Sequence, residues 1–186
     1  MSMSKTKRLS TDAVLTALYL VLAMFVTIKT GNLRFSFASL PIVVCALLYG
    51  PADACIVAAL GEFMNQMLGY GFTVTTPLWL VPPAIRGLII GLTAAAALKK
   101  GTRLEKNPAK YYSICILAAI VTTLANTGVI WLDSIIMGYY TFAYVFGDFL
   151  VRLVTGIITA ALVGIIAVPV SSALEKSGFG QAPAAQ

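Results

Sequence analysis

A chain of 186 residues that is 59% hydrophobic and 11% charged holds more apolar surface than a water-soluble fold of its size can hide, since soluble domains run near about 25% charged. The absence of histidine removes the commonest general base, proton relay and metal ligand, which argues against most hydrolase and metal chemistry. The net charge of +6 does not mark a nucleic-acid binder, because the basic residues form short clusters beside apolar runs with no interleaved aromatic motif.

Apolar runs of roughly 17 to 25 residues read as membrane-spanning helices. Six are predicted, giving an all-α, polytopic membrane bundle. The first, 12–29, lacks a small-residue cleavage site and is expected to remain as a helix. Ala13 and Ala17 lie four apart on one face of it, a spacing that lets another helix come close, either from a partner or from within this chain. Thr30-Gly31-Asn32 then breaks the run. The second span, 35–50, carries Pro41 inside it, and a kink is predicted there. Tyr49-Gly50-Pro51 separates it from the third span, 52–68. After a long loop from Gly69 comes the fourth span, 82–98, and a Gly101-to-Pro108 connection leads to the fifth, 111–131. The sixth is predicted at 144–170. Residues 1–176 form the membrane domain, and the Gly-, Ala-, Pro- and Gln-rich tail 177–186 is expected to be disordered. Cys45, Cys55 and Cys115 sit in apolar stretches without ligand spacing and read as small buried hydrophobes.

Lys5, Lys7 and Arg8 precede the first helix, Lys99, Lys100, Arg103, Lys106 and Lys110 crowd the loop between the fourth and fifth, and Lys176 follows the sixth. The opposite loops hold only Lys29 and Arg34. By the positive-inside rule both termini are predicted to be cytoplasmic, in a multi-pass protein of the cell membrane.

With that topology the intramembrane polar groups gather in the outer half. Glu62, Asn65 and Gln66 share a face of the third helix. Arg86 lies one turn below the outer end of the fourth, Asn126 with Thr122 and Thr127 in the outer part of the fifth, and Asp148, Arg152, Thr155 and Thr159 form a stripe at the start of the sixth. The inner halves are almost wholly apolar. A charge at mid-bilayer costs a few kcal/mol, so such residues face a bundle interior and commonly mark a ligand path. Two arrangements fit: Asp148 with Arg152 and Glu62 with Arg86 neutralise each other as struts, or these groups line an outward-facing pocket. The apolar loop 69–81 reads as a lid, whose Trp79 and Phe72, with Tyr70, could stack on a planar ligand or anchor at the membrane interface. The first outer loop offers Asn32 and Arg34, the latter able to fork a ligand carboxylate or to snorkel to lipid headgroups.

The chain has no G-x-x-x-x-G-K-[ST] phosphate loop, so transport needs outside energy. The segments Asn32-Leu-Arg-Phe-Ser-Phe-Ala-Ser-Leu-Pro-Ile, Leu48-Tyr-Gly-Pro, Ala59-Leu-Gly-Glu and Arg86-Gly-Leu-Ile-Ile-Gly resemble the substrate-binding S component of an energy-coupling factor (ECF) vitamin transporter, most like the folate and pantothenate types. The resemblance covers essentially the whole chain. It implies high-affinity capture of a vitamin on the outer side, then docking through Ala13 and Ala17 onto a transmembrane T component driven by two ATPase subunits, with the S component toppling in the membrane to deliver its cargo. It also implies a site among the first outer loop, the loop between the third and fourth helices, and the outer ends of the fourth to sixth: Asn32, Arg34, Glu62, Asn65, Gln66, Phe72, Trp79, Arg86, Asn126, Asp148 and Arg152. The lid sequence Thr75-Thr-Pro-Leu-Trp-Leu-Val-Pro-Pro matches no single vitamin, and folate-like compounds are placed first. No cofactor, metal or catalytic residue is expected. The alternative is an autonomous secondary transporter in which Glu62 or Asp148 relays protons, although no internal repeat supports it.

Overall fold

The computed structural model describes residues 5–30 and 33–179. Six principal helices form the bundle: α1 (Lys5–Phe25), α2 (Ser39–Tyr49), α3 (Pro51–Gly69), α5 (Val81–Lys99), α6 (Pro108–Ile136) and α8 (Phe149–Lys176). Two short helices, α4 (Thr76–Trp79) and α7 (Phe142–Phe146), sit in connections at one end. The segments Lys5–Phe25, Thr76–Lys99, Pro108–Ile136 and Phe142–Lys176 are each long and apolar enough to cross a membrane.

The first outer loop departs from the prediction. α1 stops at Phe25 rather than at residue 29, and Ile28–Thr30 (β1) pairs antiparallel with Leu33–Phe35 (β2), Ile28 opposite Phe35 and Thr30 opposite Leu33. The cause is local: Val26, Thr27 and Ile28 are consecutive β-branched residues, stiff at χ1 and better suited to a strand than to a helix end. Thr27 Oγ1 donates to the Ala23 carbonyl at 2.7 Å, holding the chain as it leaves α1. The second helix accordingly begins at Ser39, so Pro41 falls in its first turn, where the missing N–H is not needed and no kink is required.

At 11 residues α2 is about 16 Å long, too short to cross a bilayer. It does not have to, because Ile42 to Tyr49 are all buried and the helix is wrapped by α1, α3, α5 and α8. Being apolar all round fits that central position. Gly50, at φ 89°, supplies the left-handed turn into α3, and Pro51 starts the new helix.

Lipid tails offer helices little hydrophobic reason to associate, so close packing must do it. Gly87 and Gly91, one turn apart on α5, provide it. A Cβ on Gly91 would lie 2.4 Å from Pro51 Cα, and one on Gly87 3.0 Å from the Ala54 carbonyl. α5 thus lies backbone to backbone against the start of α3. Farther round, the buried Tyr111 of α6 donates its hydroxyl to the Gly164 carbonyl of α8 at 3.1 Å. Asn107 caps α6 by accepting from Lys110 N, with Pro108 opening the helix.

Every ion pair among the described residues lies at the end bearing the chain termini. Arg8 of α1 pairs with Asp53 of α3, and Arg103 with Glu175 of α8 and Glu105. There Lys7 Nζ donates to the Gly178 carbonyl at 2.8 Å and sits over the Phe179 ring. Residues 177–179 therefore fold back on α1, while the rest of the tail predicted to be disordered lies outside the described residues. The opposite end is held differently, and the difference leaves a hollow.

Candidate functional site

That hollow is an open cavity of about 750 Å³ between the ends of α1, α3, α5, α6 and α8, roofed by α4 and α7. Its volume falls in the roughly 300–1,000 Å³ range of small-molecule sites. Seven of the predicted residues line it together: Glu62, Asn65, Gln66, Trp79, Arg86, Asn126 and Arg152. They come from four helices and the α4 connection, so the convergence is tertiary.

α3 presents Glu62, Asn65 and Gln66 one turn apart on its inner face. Glu62 accepts from Gln66 Nε2 at 2.6 Å, from Asn65 Nδ2 at 3.3 Å and from Tyr19 Oη of α1 at 2.6 Å. Tyr19 reaches it because Gly61 has no side chain: a Cβ there would lie 2.6 Å from the tyrosine ring. Of the two arrangements open for this pair, the Glu62–Arg86 strut is therefore not formed. Glu62 is satisfied by neutral donors, and no carboxylate among the described residues pairs with Arg86.

Arg86 enters from the first turns of α5, behind Pro82 and Pro83, and its buried Nε has no hydrogen-bond partner. Arg152, in the first turn of α8, donates to the Val145 carbonyl of α7, and its Nε is likewise buried and unpartnered. The alternative Asp148–Arg152 strut is absent too. Asp148 stands at the N-cap of α8, exposed and outside the cavity lining. Removing two cations from water is costly unless something compensates them, and among the described residues the Arg152-to-Val145 hydrogen bond does so in part.

Several lining groups lay outside the predicted set. Tyr19, Thr27 and Ser36 line the cavity from the α1 side, and Asp133, Tyr139 and Tyr144 from the far end of α6 and α7. Asp133 belongs to α6 because that helix runs to Ile136 instead of stopping at 131. Its spacing of seven from Asn126 was the available signal. The Tyr139 hydroxyl donates to Asp133, and this bond, with partial burial, holds its pKa above the usual phenol range. The Tyr139 and Tyr144 rings meet edge to face with centroids 5.3 Å apart, and Thr141 caps α7 through Tyr144 N. With Tyr70 and Trp79 they make an aromatic rim.

Phe72 is 66% exposed and absent from the lining. Asn32 lies outside the described residues, and Arg34 is fixed only by its backbone place in β2, opposite Lys29. Ala13 and Ala17 are exposed on α1 beside Val14, Leu18 and Val21, so they are not spent on packing within this chain. Among the described residues no three His, Cys, Asp or Glu side chains gather as a metal site.

Comparison with known proteins agrees with this architecture. The family model described as "ECF-type riboflavin transporter, S component" matches residues 3–176. No curated protein sequence matches the chain. Among solved structures, the fold is similar to the S component of a bacterial ECF transporter, with a TM-score of 0.62 at 21% identity over 92% of this chain and 99% of that one. It is also similar to FolT bound with folic acid, at 0.60 and 21% identity over 94% and 98%. ThiT from Listeria monocytogenes gives 0.64 at 14% identity over 87% and 93%. At such identities the likeness establishes the fold, and the family match carries the assignment. The chain belongs to the ECF-type riboflavin transporter S-component family: it is an integral membrane protein and the vitamin-binding subunit of an ECF transporter.

Proposed function

We propose that this S component captures a planar vitamin bearing an anionic group, folate-like in chemistry, from outside the cell. One observation carries the reading. The carboxylates of the cavity, Glu62 and Asp133, already accept hydrogen bonds from neighbouring side chains, whereas Arg86 and Arg152 keep buried Nε atoms with no partner. A ligand that compensates those cations is an anion. The rim of Tyr70, Trp79, Tyr139 and Tyr144 offers stacking faces to a flat ring, and Asn65, Gln66 and Asn126 offer amides to its polar edges.

Nine of the thirteen Lys and Arg residues, from Lys5 to Arg8, Lys99 to Lys110 and Lys176, lie at the end away from the cavity. That bias supports cytoplasmic termini and a cavity open to the exterior. The segment 69–81, with α4 inside it, acts as the lid. Delivery then proceeds by docking of the exposed Ala13 and Ala17 face of α1 on a T component powered by two ATPase subunits.

A second reading has a specific basis: the matching family is described by riboflavin, a neutral flat heterocycle. Thermal-shift measurements on the purified protein with folic acid, pantothenate, riboflavin and biotin separate the two. A ligand at a hundred times its Kd stabilises the fold by about 2.7 kcal/mol. Folic acid giving the largest shift supports the first reading, and a shift confined to riboflavin replaces it with the second.

A further inference from the structure

A side chamber of about 210 Å³ opens off the main cavity, between the start of α2 and the start of α5. Two polar atoms that lack any hydrogen-bond partner border it: Ser39 Oγ, on a residue only 7% exposed, and Arg86 Nε. Trp79 and Asn126 also border it, and Ile42, Pro82 and Pro83 make its apolar walls.

We propose that this chamber is the seat of one compact anionic group, a carboxylate or similar small oxyanion. The inference rests on the reading that the cavity holds a solute, and deepens it by fixing which end of the solute enters the chamber. A guanidinium and a hydroxyl with free donors suit an acceptor that carries charge. The positive ends of α2 and α5 add to the attraction, and the apolar walls keep it from being screened. Glu62 also borders the chamber. Its carboxylate accepts hydrogen bonds from Tyr19, Asn65 and Gln66 and makes no ion pair with Arg86, whose Nε is left as the donor that calls for an acceptor. The small volume takes a charged group on a short stem, so the flat ring stays outward in the larger space, at the tyrosine rim.

Trp79 reports on the chamber directly. The chain has two tryptophans, and Trp131→Phe leaves Trp79 alone. In that background iodide, an anionic quencher, should quench the ligand-free protein in a saturable way and several-fold more steeply than neutral acrylamide. Arg86→Gln and, independently, Ser39→Ala should each return iodide quenching to a linear, acrylamide-like response. Acrylamide curves that match the parent show that each variant is folded. Linear iodide quenching in the parent, or a saturable phase that survives either Arg86→Gln or Ser39→Ala, overturns the proposal. Calorimetry with folic acid then identifies the source of the anion. Affinity that falls as iodide rises gives the seat to the ligand's own carboxylate and supports the stated orientation of the solute; simultaneous binding gives the seat to a free anion and overturns that orientation. Folic acid that does not bind counts against the folate-like reading alone, and the quenching result still decides the chamber.

Discussion

Replacing Arg86 by glutamine separates a binding residue from a structural strut, because the two roles predict effects of opposite sign on the ligand-free protein. Had Arg86 been one half of a buried ion pair with Glu62, its removal would strand a carboxylate and cost about 3–5 kcal/mol. The structure shows Glu62 held by Tyr19, Asn65 and Gln66, with Arg86 Nε unpartnered. Arg86→Gln therefore removes an uncompensated cation and orphans nothing, so the free protein should be unchanged or slightly more stable. Ligand binding should suffer by the loss of a charge-assisted contact in an apolar setting, about 2–4 kcal/mol, which at about 1.4 kcal/mol per decade is a roughly 30- to 700-fold rise in Kd. Thermal unfolding in detergent reads the first quantity and calorimetry the second. A large fall in the melting temperature with unaltered ligand affinity would refute the assignment of Arg86 to the ligand.

Three further perturbations bear on separate parts of the account. Ala17→Trp, on the exposed face of α1, should leave ligand affinity within about twofold while abolishing uptake in cells that coexpress the T component and ATPases; normal uptake would remove the docking role of that face. Gly91→Leu would drive a side chain into the Pro51 backbone, 2.4 Å from where its Cβ must sit, and should destabilise the bundle by at least about 1–3 kcal/mol, measured as a lower melting temperature. Asp148→Asn should change neither stability nor affinity measurably, since this carboxylate is exposed and outside the cavity; a tenfold loss of binding would place it back in the site.

Much of the site was legible because polar residues in a hydrocarbon environment have few places to go. Glu62, Asn65 and Gln66 stand out in an apolar run at spacings of three and four, and the same logic located Arg86, Asn126 and Arg152. What the sequence could not supply was partner choice. Tyr19 lies 43 positions before Glu62 and reaches it only because Gly61 clears the way, and an acid with an arginine on the next helix is the more obvious pair on paper. Asp148 and Arg152 have helical spacing, yet Asp148 is the exposed N-cap of α8 and makes no ion pair with Arg152.

The hairpin was hidden by hydropathy. Residues from Ala13 to Ile28 read as one apolar run, and two three-residue strands are too short to show an alternating pattern. The β-branched trio Val26, Thr27 and Ile28 was the signal that hydropathy alone passes over. The end of α6 was obscured for the related reason that Asp133 and the tyrosines beyond it look like a polar loop. Asp133 is instead in the last turn of α6, which runs to Ile136, and Tyr139 in the following connection and Tyr144 in α7 line the cavity beside it.

In the proposed function, the cavity at the end remote from the charge clusters holds a solute whose anionic group meets Arg86. A structure of the protein with the ligand that gives the largest thermal shift tests it most directly. Ligand density is expected inside the cavity, with the ring against Trp79 and the tyrosines and an acceptor within hydrogen-bonding distance of the Arg86 guanidinium. Density on the lipid-facing surface, or a bound ligand that leaves Arg86 untouched, would contradict it.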